Sequence, residues 1–145
     1  MTLYFMRILA LDPGTVRIGI ALSDETKTIA QPREFIPAEP FADFLARLKE
    51  IIRIQEVELI IVGVPRNMNG SYGPAAEKAR EFIIVLKHAL AIPIKGWDER
   101  LTSVQANRLL IDAGMRRDKR KVKVDQAAAA ILLQSYLDSL SLQAS

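Results

Sequence analysis

The chain has 145 residues, half of them hydrophobic and 26% charged, with 20 Lys and Arg against 17 Asp and Glu for a net charge of +3. That size and balance describe one globular domain with a core of its own; they exclude a disordered chain and leave little room for a second domain. Cysteine is absent and His88 is the only histidine, which removes disulfides, thiol catalysis and any cysteine-ligated or multi-imidazole metal site within one chain.

The segment Met1 to Arg7 lacks the basic start and small-residue cleavage site of a secretory signal, and Met6 offers an alternative start just ahead of the first strand. No apolar run approaches the roughly 18 residues of a membrane span. A cytoplasmic protein without a membrane association is expected. Arg7 to Leu11 reads as a strand running into the turn signal Asp12-Pro13-Gly14, and Arg17 to Ser23 reads as the next. So short a connection permits a hairpin and no crossover, so the two should be antiparallel. Thr28 to Ile36 adds a third strand, with Pro32 marking an edge or an irregularity.

After Pro37 and Pro40 the period changes. Phe41, Phe44, Leu45, Leu48, Ile51 and Ile52 form a helical stripe, and Leu59 to Val64 reads as a strand covered on both faces. An Asn- and Gly-rich loop from Pro65 to Pro74 leads into a helix with Ala75, Ala79, Phe82, Ile83, Leu86 and Leu90 on one stripe. Ile92 to Trp97 is a short strand, and Thr102 to Gln105 is a capping box opening a helix that stops at Gly114. A last helix is expected from about Val124 to Leu140. The order of three strands, helix, strand, helix, strand and two helices predicts an α/β domain: a mixed five-stranded sheet with helices on its faces.

Three acidic places stand out by position. Asp12 closes the first strand, Asp98 and Glu99 close the last, and Asp125 begins the Ala-rich final helix. Ligands of open sheets collect at the carboxyl ends of strands, and the alanines allow the final helix to pack close enough to bring Asp125 to the same edge. Carboxylates converging there need a cation, and hard oxygen ligands select Mg²⁺ or Mn²⁺, which suit phosphodiester chemistry. Each residue also has a plain structural role open to it: Asp12 as a turn residue, Asp125 as a helix cap, Asp98 and Glu99 as surface ion-pair partners of Arg100.

Charge is concentrated. Arg116, Arg117, Lys119, Arg120, Lys121 and Lys123 surround a single acid, Asp118, for a local net of +5, so the rest of the chain is net −2. Read as a loop ahead of the Asp125 helix, this run is suited to phosphate-backbone contact, or is simply solvated. The loop after Val64 brings Arg66 and Asn67 to the same sheet edge, as phosphate or ribose contacts or as plain turn residues. Trp97 and Phe82 are expected in the core, and His88 is expected to be structural.

Asp12-Pro13-Gly14 with Arg17 to Ala21, Gly63 to Gly70, Trp97 to Ser103 and Val124 to Ile131 resemble, in order, the sequence blocks of the YqgF family of Holliday-junction-resolvase-like nucleases. The resemblance runs from about residue 7 to 140. It implies a single ribonuclease-H-like domain over 1–145, with an ordered core of about 6–140. It also implies a metal-dependent endonuclease that matures the 5′ end of pre-16S ribosomal RNA, with Asp12, Glu99 and Asp125 as catalytic metal ligands. Neighbouring residues of a strand point oppositely, so one of Asp98 and Glu99 serves, and Glu99 is chosen with Asp98 as alternate. Related junction resolvases carry a fourth acid one helical turn before the last; Val122 holds that place here. Partners are expected to be RNA ahead of DNA, and pre-ribosomal particles, with the chain a monomer or homodimer. The competing readings are a DNA junction resolvase, a non-catalytic RNA-binding module of the same fold, and an actin-like nucleotide-binding domain, for which 145 residues lack the second half.

Overall fold

A computed structural model describes residues 6–14, 16–66, 69–99 and 117–144, the side chains of 99, 117–126 and 142–144 excepted. Five strands, β1 (Arg7–Pro13), β2 (Arg17–Ser23), β3 (Ala30–Pro37), β4 (Val57–Pro65) and β5 (Ile94–Glu99), form one sheet in the order β3-β2-β1-β4-β5. Helices α1 (Phe41–Gln55), α2 (Pro74–Ala89) and α3 (Arg117–Ala144) complete the described elements. The hairpin expected from the short β1–β2 connection is present: Leu9 pairs Leu22 and Asp12 pairs Gly19, antiparallel. β4 lies parallel to β1, and β5 parallel to β4.

β1 is the pivot. Leu9 and Leu11 point to one face with Ile20, Ile60, Val62, Phe44, Leu48 and Leu86, beneath α1 and α2. Ile8 and Ala10 point to the other with Ala21, Ile61, Ala129, Leu132, Leu133 and Leu137, beneath α3. Central strands covered on both faces must be apolar at every position, as these are. The α1 side carries the larger residues, including a chain of tilted rings from Phe41 through Phe44 to Phe82 with centroids 6.0 and 5.8 Å apart. At Gly96 a side chain would press on Val64 Cγ2 at 3.1 Å and Ile83 Cδ1 at 3.3 Å, so glycine lets α2 lie close to β5. At Gly14 a Cβ would collide with the Arg17 carbonyl, so the tight end of the first hairpin requires glycine.

Several boundaries differ from the sequence expectation. The sheet-facing residue in the first turn of α2 is Ala76 rather than Ala75, which is exposed: the start at Pro74 sets the phase of the stripe. β3 begins at Ala30, because Asp24 to Ile29 are held in a turn by the Asp24 carboxylate. Pro32 sits on that edge strand beside a register shift, where a missing N–H is tolerated. The largest difference is the basic run, expected as a loop: α3 is already helical at Arg117. Straight-chain Lys and Arg are good helix formers and nothing between 117 and 124 breaks a helix, so charge density alone was a poor loop signal. The capping-box helix expected over Thr102 to Gly114 lies outside the described residues. His88 is exposed in the last turn of α2, while Phe82 and Trp97 pack against the two core clusters. Among the described residues, no helix is long and apolar enough to cross a membrane.

α3 is keyed to the sheet by Gln134. Its Oε1 accepts the Ala30 N–H at 2.9 Å and its Nε2 donates to the Thr28 carbonyl at 2.9 Å, closing the amide on a backbone segment 104 residues earlier. Gln134→Ala, which strands both backbone groups, is expected to cost about 1–2 kcal/mol in urea unfolding. The Asp24 carboxyl is lowered from 3.8 to about 2, first by the Ile29 N–H, then by the Thr26 hydroxyl and the Thr28 N–H. A depressed pKa contributes stability above the ordinary carboxylate value that is lost as pH falls through the folded one. The deficit of Asp24→Ala relative to wild type should therefore be full at about pH 5 and largely gone by about pH 2, read as urea midpoints.

Candidate active site at the carboxyl edge of the sheet

The parallel strands β1, β4 and β5 all end at one edge. Leu11 is level with Val62, and Val62 with Gly96, so Asp12 stands one residue past that line and Glu99 three. Alternation along β1 puts half-buried Asp12 on the α3 side, following Ile8 and Ala10. Along β5, Trp97 meets the Tyr136 ring edge-on at 5.1 Å and Lys95 Nζ lies 5.4 Å from the same ring, so odd positions belong to the α3 side and even ones to the α2 side. Glu99 holds an odd position and Asp98 an even one. The two β-strand neighbours are thus assigned to opposite faces, and it is Glu99 that has the parity of the Asp12 side.

Asp98 is occupied on the far face. The Tyr72 hydroxyl donates to its two carboxylate oxygens at 3.0 and 2.9 Å, and Arg66 Nη1 donates to Oδ2 at 3.2 Å. Arg66 also gives its Nε–H to the Gly70 carbonyl at 2.7 Å, and its guanidinium carbon lies 5.2 Å from the Tyr72 ring centroid. Gly70, at φ 89°, makes the left-handed bend that turns its carbonyl into reach. Asn69 Oδ1 accepts from the Ser71 N–H at 3.0 Å and the Ser71 hydroxyl at 2.6 Å, an Asx turn that stiffens the same loop. Arg66, expected from sequence as a phosphate contact, is thus also the brace of the loop that follows β4. Asp98 makes its ion pair across the loop with Arg66, while Arg100, its other candidate partner, lies outside the described residues.

Asp125 lies one helical turn before Ala129, on the stripe of α3 that continues through Leu132, Leu133 and Tyr136 and faces the sheet. The side chains of Glu99 and Asp125 and of Arg117, Lys119, Arg120, Lys121 and Lys123 lie outside the described set, as do Asn67, Arg100 and Arg116 altogether. Among the described residues no group of three His, Asp or Glu side chains forms a metal cluster. The donor set that the backbone brings to the edge, three carboxylates without imidazole or thiolate, suits a hard divalent ion rather than zinc. Tyr72 and Arg80 escaped the sequence reading; the available signal was a tyrosine in an Asn/Gly loop with a basic residue two turns along the following helix.

A five-stranded mixed sheet in this order, with helices on both faces, is the ribonuclease-H-like fold. Solved structures agree. The chain aligns over 93% of its length with 96% of *Thermus thermophilus* RuvC bound to a Holliday junction, TM-score 0.52 at 17% identity. It aligns over 93% with 99% of a fowlpox virus resolvase bound to junction DNA, TM-score 0.53 at 14% identity. In sequence, residues 6–139 match the family model RuvX, described as Holliday junction resolvase. A *Halothermothrix orenii* protein named "Putative pre-16S rRNA nuclease" is 50% identical over 133 residues, covering 92% of this chain and 95% of its own. A *Clostridium botulinum* protein of the same name is 48% identical over 136 residues, covering 94% and 99%. The chain belongs to the RuvX family, and with that to the nucleases, the hydrolases of phosphodiester bonds.

The Asp98–Arg66 pair is half-exposed, with side-chain exposures of 50% and 33%. Pairs so solvated contribute little to stability. Asp98→Asn keeps an acceptor for Tyr72 and is expected to lower unfolding stability by less than about 1 kcal/mol in urea titrations.

Proposed function

We propose that the protein is a divalent-metal-dependent endonuclease acting on RNA, in maturation of the 5′ end of pre-16S ribosomal RNA. The observation that carries this is the shared end and face of its three acidic positions: Asp12 ending β1, Glu99 ending β5 on the parity of the Asp12 side, and Asp125 on the sheet-facing stripe of α3. The axial position of α3 supports it. Gln134 is bonded to Ala30, which pairs with Ser23, and the Ser23 hydroxyl accepts the Ile8 N–H at 2.9 Å. Nine residues of helix from Gln134 back to Asp125 span about 13–14 Å. The four steps of β1 from Ile8 to Asp12 span about 13 Å. A helix running back along β1 from Gln134 would bring Asp125 toward the level of Asp12.

Asp12, Glu99 and Asp125 would hold Mg²⁺ or Mn²⁺, which when bound acidifies a water and offsets charge on the phosphate. The chain's own groups do the rest. Half-buried Asp12, at the end of a rigid central strand, fixes the reference position of the site. The cations at 116, 117, 119, 120, 121 and 123, most of them on the first turns of α3, hold the phosphate backbone next to it without reading sequence. Arg66, just past the end of β4, would add a further phosphate contact, as would Asn67 and Arg100, its sequence neighbour and that of Glu99.

The names of the relatives at 48–50% identity favour an RNA substrate. The family description, Holliday junction resolvase, supports a second reading in which the substrate is branched DNA. Resolving a junction needs two aligned sites, and so a homodimer. Purified protein is to be incubated with Mn²⁺ and with a single-stranded pre-rRNA fragment, an RNA duplex, an RNA–DNA hybrid and a DNA four-way junction. Cleavage of the pre-rRNA fragment is expected, falling at least about 10²-fold in Asp12→Asn and Asp125→Asn, the scale of lost positioned charge in a site. Selective junction cleavage would replace the RNA reading. Metal binding without cleavage of any substrate, or cleavage unaffected by both substitutions, would leave a binding module and sink the nuclease mechanism.

A further inference from the structure

Asp98, Tyr72, Arg66 and Arg80 form a cluster that the carboxylate site does not use. Tyr72 is 40% exposed although aromatic, and stands in the loop between β4 and α2 with its hydroxyl tied to Asp98. The Arg80 guanidinium carbon lies 4.5 Å from the Tyr72 ring centroid, closer than that of Arg66 at 5.2 Å. Arg66 has its charge answered by Asp98. Arg80 does not: it is exposed, and among the described residues no carboxylate makes an ion pair with it. A cation held over a ring, without an ion pair among the described residues and open to solvent, is placed for something that arrives from outside.

We propose that Tyr72 and Arg80 form a single-strand platform: an unpaired nucleobase of the substrate stacks on the outer side of the Arg80–Tyr72 pair, and Asp98 is the positioning residue that holds it. The inference rests on the nuclease reading for its substrate class, but not on the metal or on cleavage. Unpaired bases are recognised by stacking on aromatic rings and on guanidinium planes, and every base offers a π-face, so such a platform needs no sequence code. The cation–π contact presets the guanidinium plane and the Tyr72–Asp98 hydrogen bonds preset the ring, which lowers the ordering cost on binding. The location fits. Asp98 precedes the proposed ligand Glu99 and the loop follows β4, the strand between β1 and β5. A nucleotide on Arg80 would therefore lie on the α2 flank of the carboxylates, across the sheet edge from the basic start of α3. A duplex, whose bases are stacked on each other, gains nothing from the platform.

The test is fluorescence anisotropy with the full chain in EDTA, using a labelled unstructured RNA oligonucleotide and a duplex of the same sequence. Arg80→Ala is expected to weaken single-strand binding about tenfold, within the range of one lost stacking contact, and duplex binding by less than about twofold. Arg80→Lys, which keeps the charge and loses the plane, should lose nearly as much single-strand affinity as Arg80→Ala. Tyr72→Phe and Asp98→Ala should each weaken single-strand binding several-fold, and the double variant no more than the worse single one, since both remove the one Tyr72–Asp98 contact. Thermal midpoints within a few degrees of wild type would exclude unfolding as the cause. Full activity of Arg80→Lys would reduce the site to a point charge and overturn the proposal; so would equal losses for single strand and duplex, or no single-strand binding by wild type. Failure of the nuclease reading is separate: wild type that prefers single strands but never cleaves sinks that reading alone, and Mn²⁺-dependent cleavage with unaffected Arg80 variants sinks the platform alone.

Discussion

The arrangement depends on β1 being buried on both faces. Leu9 and Leu11 are fully covered by one helical layer and Ile8 and Ala10 by the other, so no ionised group is tolerable along the strand until it leaves the core. Asp12 is the first place where it can be. It is half-buried and still in the ladder, paired with Gly19, which makes its backbone as fixed as any in the molecule. The tight hairpin beyond it, closed at Gly14, returns β2 alongside rather than across the edge.

The two faces divide the work. Large apolar side chains fill the α1 and α2 side, where Phe44, Leu48 and Leu86 are wholly buried. The α3 side meets the sheet through Ala10, Ala21, Ala128 and Ala129, and small residues on both partners permit close approach of helix to sheet. The gain is proximity rather than apolar area. The long helix can carry Asp125 toward the edge only if it is also prevented from sliding, and Gln134 supplies that by bonding to backbone at Thr28 and Ala30. Apolar contacts are non-directional, so these directional hydrogen bonds add an axial reference to the one that close packing already supplies.

Much of this was legible in the chain, for identifiable reasons. Strands buried on both sides have to be apolar throughout, so β1 and β4 declared themselves, and the short β1–β2 connection admitted only an antiparallel pairing. The choice between Asp98 and Glu99 was legible as a parity question, but the role of Asp98 was not: its partner Tyr72 lies 26 residues away, and nothing local pairs them. The bracing of Gly70 and Asp98 by Arg66 was not legible, because its neighbours are turn residues and those contacts require the fold. The start of α3 was obscured by its own charge. A segment with six cations reads as solvated, yet the straight-chain side chains that carry those charges are among the better helix formers.

That the basic run is helical changes what it can do. Like charges three and four apart on a helix are about 5–6 Å from one another and repel, which weakens the turn that holds them. A polyanion laid along such a turn removes the repulsion while the backbone already holds the cations in order, so substrate and helix stabilise each other. The opposite flank is built differently: Arg66 is neutralised by Asp98, and Arg80, beside the Tyr72 ring, makes no ion pair among the described residues. On the proposed reading the acidic positions lie between the two, and on their own would drive a nucleic-acid strand away. Net repulsion at the centre and attraction at both sides would hold a strand at its ends and keep its middle poised at the carboxylates, where only a neutralising cation makes close approach favourable. On the proposed reading a strand would bind before a metal does, but would come down onto the carboxylates only after it.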